Sequence, residues 1–226
     1  MISLILENAD KKIDDFDRKG LHYNLVANAI YVKLKEIGDP FDQSYLQYII
    51  AGLVSFDMGR MMGTNTMRYS FEDNGFALKL HSKLQKIRPR LEPILKLTLP
   101  SIDFKEHGEA IKYAYQTLSD SGFNALNADP NESFPVGATK ILHFMNPELF
   151  IIVDSNAAKA FRIAWNVHFR STTQPGYSAD RYLECIEDAQ KDIRNYDIER
   201  FQNLALGIPL TRIYDKLTFI TGSELK

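Results

Sequence analysis

The chain has 226 residues, of which 45% are hydrophobic and 25% are charged. This composition suits one globular domain, or two small lobes that share a core, with no need of disulfides to hold it together. There are 27 basic and 29 acidic side chains, which gives a formal net charge of -2. Bulk charge alone therefore cannot hold the chain on nucleic acid, and any such binding needs a local basic patch.

Cys185 is the only cysteine, which excludes a disulfide framework, an all-cysteine zinc site and a cysteine-ligated iron–sulfur cluster. The histidines are scattered, and none forms a His-x-x-x-His or Glu-x-x-His pair on a predicted helix, so we expect no metal and no cofactor. No apolar run approaches the roughly 20 residues that span a bilayer, and the first residues lack the basic start of a signal peptide. We therefore expect a cytoplasmic protein without a membrane partner.

Hydrophobic residues recur every three or four positions along most of the chain, which is the spacing of amphipathic helices. Asp39-Pro40 and Asn146-Pro147 are typical of helix starts, and Pro89 is expected to end its helix. Strand signals are short and confined to two places. The sequence therefore predicts an all-α, compact protein of eight to ten helices. The predicted helices cover residues 26–37, 45–54, 77–87, 111–118, 157–168, 182–196 and 210–217.

A change in composition near residue 100 suggests two lobes. The first, residues 1–100, holds helices rich in tyrosine and methionine, and the second, residues 101–226, holds the segment 133–165 described next. Because the predicted connections are short, we expect the two lobes to pack as one unit rather than as independent domains.

Residues 133–165 contain the side chains that are best suited to catalysis or to ligand binding. A turn here is expected to open a helix at Gly137, which would leave the amides of Ala138 and Thr139 free at a helix N-terminus, where a phosphate binds well. Lys140 is expected in the first turn of that helix. A positive helix end lowers the pKa of a nearby amine, which favours its use as a nucleophile.

Two motifs in this segment resemble those of the helix-hairpin-helix (HhH-GPD) superfamily of DNA glycosylases. Residues 134–140 (Phe-Pro-Val-Gly-Ala-Thr-Lys) resemble its hairpin, and residues 153–156 (Val-Asp-Ser-Asn) resemble the segment that opens the next helix. The resemblance implies a glycosylase-like fold and a base-excision glycosylase or lyase that acts on duplex DNA. It implies that Lys140 attacks C1′ of the sugar to form a Schiff base, that Asp154 stabilises the developing positive charge, and that Gly137 with the amides after it binds a phosphate.

Each candidate residue also has a purely structural interpretation. Asp154 is a typical N-cap, and Lys140 could be a solvated residue of a short helix. His143 has apolar neighbours, which is more typical of a hydrogen-bonded, partly buried histidine than of a catalyst. His143 and Asn156 are nevertheless candidates for lining a cleft. Arg60 is a third candidate, because glycines on either side of it interrupt an apolar helix and permit a close approach.

One basic run, from Lys79 through Lys83, Lys86 and Arg88 to Arg90, contains no acidic residue. Lys83, Lys86 and Arg90 fall on one helical face, so they form either an ordinary solvated surface or a stripe that binds DNA phosphates. The sequence thus predicts a DNA-interacting protein of glycosylase-like architecture. The alternative is a non-catalytic helical protein that uses the hairpin for packing, or for binding a phosphate or a protein partner.

Overall fold

The computed structural model describes residues 4–56, 76–120, 134–162, 178–196 and 208–225. Within these ranges the chain forms nine α-helices and a 3₁₀ turn, with no β-strand, which confirms the predicted all-α class. In chain order the helices are α1 (Ala9–Lys19), α2 (Leu21–Ile37), α3 (Gln43–Phe56), α4 (Phe76–Leu91), α5 (Phe104–Ser119), α6 (Pro135–Met145), α7 (Ser155–Ala160), α8 (Ala179–Asn195) and α9 (Leu210–Glu224). The 3₁₀ turn, Glu92–Ile94, follows α4 directly.

Three predicted boundaries need correction. α4 continues through Pro89 to Leu91. Proline has no N–H group to donate to the carbonyl oxygen of Gln85, four residues earlier, but Gln85 is exposed to solvent. The helix expected after Asp39 starts only at α3, because the Asp39 carboxylate accepts a hydrogen bond from the Phe41 amide and forms a turn instead. Asn146-Pro147 likewise begins a turn rather than a helix.

One apolar core runs through the described helices and continues across residue 100, where the sequence predicts the boundary between two lobes. α5 packs against α4, α6 and α8, while α2 packs against α3 and α9 packs against α1 and α7. Large aromatic side chains fill this core, and Tyr45, Phe144 and Tyr214 are completely buried. Helices from both halves of the chain therefore surround α6, which carries the predicted hairpin.

α9 is buried on nearly every side, although many of its residues are polar. Arg212, Asp215 and Lys216 on this helix are each no more than 5% exposed. The helix approaches α7 so closely that a Cβ atom on Gly222 would lie 1.7 Å from the backbone oxygen of Asn156. Glycine at this position therefore sets the spacing between α7 and α9.

Candidate functional site

Lys140 and Asp154, the two predicted catalytic residues, line the same cavity. Lys140 lies on α6, and Asp154 directly precedes α7. Arg212 and Asp215 from α9 line this cavity as well, which has a volume of about 70 Å³. Four ionisable side chains from three parts of the sequence thus meet at one small space, which is a feature typical of functional sites.

Asp154 combines a structural and an electrostatic role. Its Oδ1 atom accepts hydrogen bonds of 2.9 Å from the amides of Asn156 and Ala157, which confirms the predicted N-cap. Burial raises the pKa of the Asp154 carboxyl group. The two amide hydrogen bonds and the positive charges of Lys140 and Arg212 oppose this shift. The charge state of Asp154 therefore depends on what surrounds it in the cavity.

Lys140 is 6% exposed and thus buried, which contradicts its interpretation as a solvated residue. Its Nζ atom donates a hydrogen bond of 3.2 Å to the carbonyl oxygen of Phe56 and lies 5.9 Å from the centre of that ring. Because α6 begins at Pro135, Lys140 is in the second turn and not in the first. The effect of a helix end fades within one turn, so it does not reach this amine as the sequence analysis expected.

The amides of Ala138 and Thr139, which were expected to bind a phosphate, lie within α6. α6 begins before Gly137, and the amide of Ala138 donates a hydrogen bond of 2.9 Å to the carbonyl oxygen of Phe134. The Phe134 ring covers Gly137, where a Cβ atom would lie 1.7 Å from a ring carbon. Ala138 and Thr139 are 0% and 1% exposed. The amides of Ala138 and Thr139 therefore lie within the helix and not at its free end.

The basic run on α4 contributes to helix packing. Lys83 donates hydrogen bonds of 2.6 Å and 3.1 Å to the carbonyl oxygens of Thr117 and Asp120 at the end of α5. The guanidinium group of Arg90 lies 4.0 Å from the centre of a tyrosine ring of α5. Lys86 is exposed on the surface of α4. Two of the three residues predicted to bind phosphates thus have structural partners.

His143 and Asn156, the other cleft candidates within the described residues, do not line this cavity. His143 is fully buried, and its Nδ1 atom lies 2.6 Å from the carbonyl oxygen of Phe150 while Nε2 lies 2.5 Å from the Tyr31 hydroxyl group. Since a carbonyl oxygen only accepts, Nδ1 donates and Nε2 accepts from the hydroxyl group. Burial lowers the pKa of His143 to about 3, so the ring is neutral. Asn156 packs its backbone against α9, and Arg60 lies outside the described residues.

The sequence analysis missed Arg212, which is 3% exposed. Its guanidinium group lies between two aromatic rings, 5.0 Å from the centre of Phe16 and 5.3 Å from that of Phe56. Its Nη2 atom donates a long hydrogen bond of 3.4 Å to Asn24. The Nε atom is buried and has no hydrogen-bond partner among the described residues.

Asp215, one turn further along α9, was missed as well. Its Oδ1 atom accepts a hydrogen bond of 2.8 Å from the amide of Ile152. Its Oδ2 atom has no hydrogen-bond partner within the described part of the chain and lies 3.6 Å from Nδ1 of His143. Burial raises the pKa of this carboxyl group well above its usual range. Arg212 and Asp215 lie beside the apolar stripe of Leu210, Ile213, Tyr214 and Leu217 and not in it, so the sequence does not mark them as buried.

Comparisons of the chain with protein-family models, with curated proteins and with solved structures found no match. The described helices include none with the length and hydropathy of a membrane span. The same ranges contain no group of three or more histidine, cysteine or acidic side chains that could hold a metal ion. A function must therefore be inferred from the chemistry of one cavity, where a lysine, an arginine and two aspartates meet.

Proposed function

We propose that the protein is a base-excision enzyme, a DNA glycosylase with lyase activity that works through Lys140 and Asp154. The observation that carries the proposal is their common cavity, to which one contributes an amine and the other a carboxyl group. Chemistry at a sugar carbon by this pair requires that both groups converge on that one atom. A lysine and an aspartate on opposite faces of the fold would have excluded it.

In the proposed reaction the Lys140 amine first releases its proton to solvent, and its lone pair then attacks C1′ of the deoxyribose. The bond between C1′ and the base breaks, and its electron pair leaves with the base, which takes up a proton. The amine then loses its protons as the ring oxygen separates from C1′ and is protonated, and an imine joins Nζ to C1′. Asp154, as a carboxylate, stabilises the positive charge at C1′ and accepts a proton from the amine.

The proposed partner is duplex DNA with a damaged base or an abasic site. Lys83, Arg90 and the amides after Gly137 are left out of the proposed DNA contacts, because each already has a partner within the fold. Lys86 is the phosphate contact that stays in the proposal, since it is exposed. Each such contact contributes close to one unit to the slope of log affinity against log salt, so we expect a shallow salt dependence.

Reduction with borohydride in the presence of duplex DNA that contains an abasic site tests the proposed chemistry. We expect wild-type protein to form a covalent adduct that survives denaturing electrophoresis, because borohydride reduces the imine to a stable amine. Lys140→Arg keeps a positive charge at this position but cannot form the imine, and Lys140→Gln removes the charge as well. Both variants are expected to form no adduct. Since Lys140 is buried, circular dichroism checks that each variant is folded.

Asp154→Asn separates helix capping from chemistry. Asparagine caps a helix about as well as aspartate, so we expect this variant to fold normally. Loss of the carboxylate is expected to slow adduct formation by a factor on the order of 100. An unchanged rate would leave Asp154 with the capping role alone. If wild-type protein forms no adduct with abasic DNA or with a panel of damaged bases, the proposed activity is wrong.

A second candidate is a non-catalytic protein in which residues 134–145 serve packing alone. The complete burial of Ala138 and the contact between Phe134 and Gly137 favour it. This candidate predicts that no lesion gives an adduct and that substitutions of Lys140 change stability only. The borohydride experiment therefore distinguishes the two candidates directly.

A further inference from the structure

Arg212 is a buried cation for which the described residues offer no ion-pair partner. Aromatic rings flank its guanidinium group. The hydrogen bond that Arg212 donates to the side-chain oxygen of Asn24 is long, at 3.4 Å, and Nε has no partner in the described ranges. Burial of an uncompensated charge is costly, so buried arginines are normally paired with an anion. The position of this side chain on the cavity therefore points to an anionic group outside the described residues.

The carboxyl groups of Asp154 and Asp215 interact electrostatically with Arg212, but neither forms a salt bridge with it within the described residues. Asp154 shares the cavity with the positive charge of Lys140 and has its Oδ1 atom held by two amides. Asp215 is 5% exposed, and burial raises the pKa of its carboxyl group well above the usual range. Arg212 thus has two carboxyl groups nearby but no direct ion pair with either of them in the described residues.

The cavity has the size of a small anion. Its volume is about 70 Å³, and one water molecule needs roughly 10–15 Å³, so the space suits a group of about five non-hydrogen atoms. A phosphate group fits this description. The planar fork of a guanidinium group also matches the spacing of phosphate oxygens, to which it donates two parallel hydrogen bonds.

We propose that this cavity binds a phosphate group and that Arg212 is its principal partner. The Nε atom, which lacks a partner in the described residues, donates to one oxygen, and an Nη atom donates to a second. This binding is independent of the proposed nucleophilic role of Lys140, and it applies equally to a free phosphate ion and to a phosphate carried by DNA.

Isothermal titration calorimetry with inorganic phosphate tests the proposal. We expect saturable binding at one site per wild-type chain. Arg212→Gln loses both the charge and the fork, and its affinity is expected to fall at least ten-fold. Arg212→Lys keeps the charge but not the fork and is expected to bind with intermediate affinity. Arg181→Gln is the matched control, because this arginine is 53% exposed on α8 and does not line the cavity; its affinity should equal that of wild type.

Competition by short DNA strands with and without a 5′-phosphate identifies the source of the group. If only the phosphorylated strand displaces inorganic phosphate, the site binds the phosphate at a DNA end. If both strands displace it, the site binds the DNA backbone. If neither strand displaces it, the site binds the free ion. Absence of saturable phosphate binding by folded wild-type protein would overturn the proposal, as would equal affinities of wild type and folded Arg212→Lys and Arg212→Gln. Adduct formation on abasic DNA is scored separately, so failure of either proposal is recognised on its own.

Discussion

Asp215 links the stability of the protein to pH through one buried carboxyl group. Burial raises its pKa, which means that the folded chain binds this proton more tightly than the unfolded chain does. At a pH below the unfolded value of about 3.9 both states are protonated, and the group makes no difference to stability. As the pH rises from there towards the folded pKa, the unfolded state alone loses its proton, and the contribution of Asp215 becomes progressively unfavourable.

We expect Asp215→Asn to match wild type in stability at about pH 4 and to exceed it at about pH 7. The amide is not ionised, and its oxygen still accepts the hydrogen bond from Ile152. Each unit of pKa difference between the folded and unfolded states corresponds to about 1.4 kcal/mol. Urea unfolding at both pH values measures the stability of Asp215→Asn relative to wild type. If this relative stability is the same at about pH 4 and at about pH 7, the pKa of Asp215 is not raised by folding. Asp215→Ala is the control: it also lacks the ionisable group but leaves the Ile152 amide unsatisfied, so it should be about 1–3 kcal/mol less stable than Asp215→Asn at both pH values.

Lys83 and Lys86 belong to the same basic run, yet the structure gives them different roles. Lys83 donates to two carbonyl groups at the end of α5, where a positive charge is also favoured by the helix dipole. We expect Lys83→Gln to lower the free energy of unfolding by about 1–2 kcal/mol. The exposed Lys86 is the matched control, and Lys86→Gln should change stability by no more than about 0.5 kcal/mol. Equal effects in denaturant unfolding would contradict the packing role of Lys83.

At the scale of elements, the contact between α7 and α9 depends on Gly222. A Cβ atom there would lie 1.7 Å from a backbone oxygen, and backbone cannot rotate away as a side chain can. Gly222→Ala is therefore expected to destabilise the protein by about 1–3 kcal/mol or more. It is also expected to weaken phosphate binding, because it displaces the helix that carries Arg212. Denaturant unfolding and calorimetry measure the two effects.

Gly108 on α5 provides the control for this prediction. A Cβ atom on Gly108 would lie 3.1 Å from a methyl carbon of Leu183, and this flexible side chain can adjust. Alanine also favours a helix interior over glycine by roughly 0.5–1 kcal/mol. We therefore expect Gly108→Ala to be neutral or slightly stabilising. A similar loss of stability in both variants would show that the contact at Gly222 has no special importance.

At the scale of the whole molecule, the helices were predictable because each buries one face, and the hydrophobic residues of that face recur at helical spacing in the sequence. The stripes at residues 182–196 and 26–37, for example, correspond to α8 and α2. α1 was not predicted, although Ile13 and Phe16 on it are buried, because the buried positions on this short helix are few. The start of α6 was misplaced because Pro135 was expected in a turn, whereas it occupies the first position of the helix.

The candidate site was predictable only in part. Asp154 has the local signature of an N-cap, and Lys140 was singled out by the motif around it. That both line one cavity follows from the packing of α6, α7 and α9, which no short stretch of sequence encodes. Arg212 and Asp215 were missed for a related reason. A helix that is buried on nearly every side has no polar face, so its pattern does not show which polar residues lie at a cavity.

Phosphate binding at Arg212, as proposed, would make folding and ligand binding parts of one equilibrium. An ion that binds the folded chain alone adds RT ln(1 + [L]/Kd) to its stability, or about 2.7 kcal/mol at a hundred times Kd. The melting temperature should accordingly be higher in phosphate buffer than in a buffer without oxyanions, and it should rise with phosphate concentration. The thermal stability of a protein whose buried guanidinium group has no ion pair in the described residues would then depend on the anions in the buffer as well as on the chain.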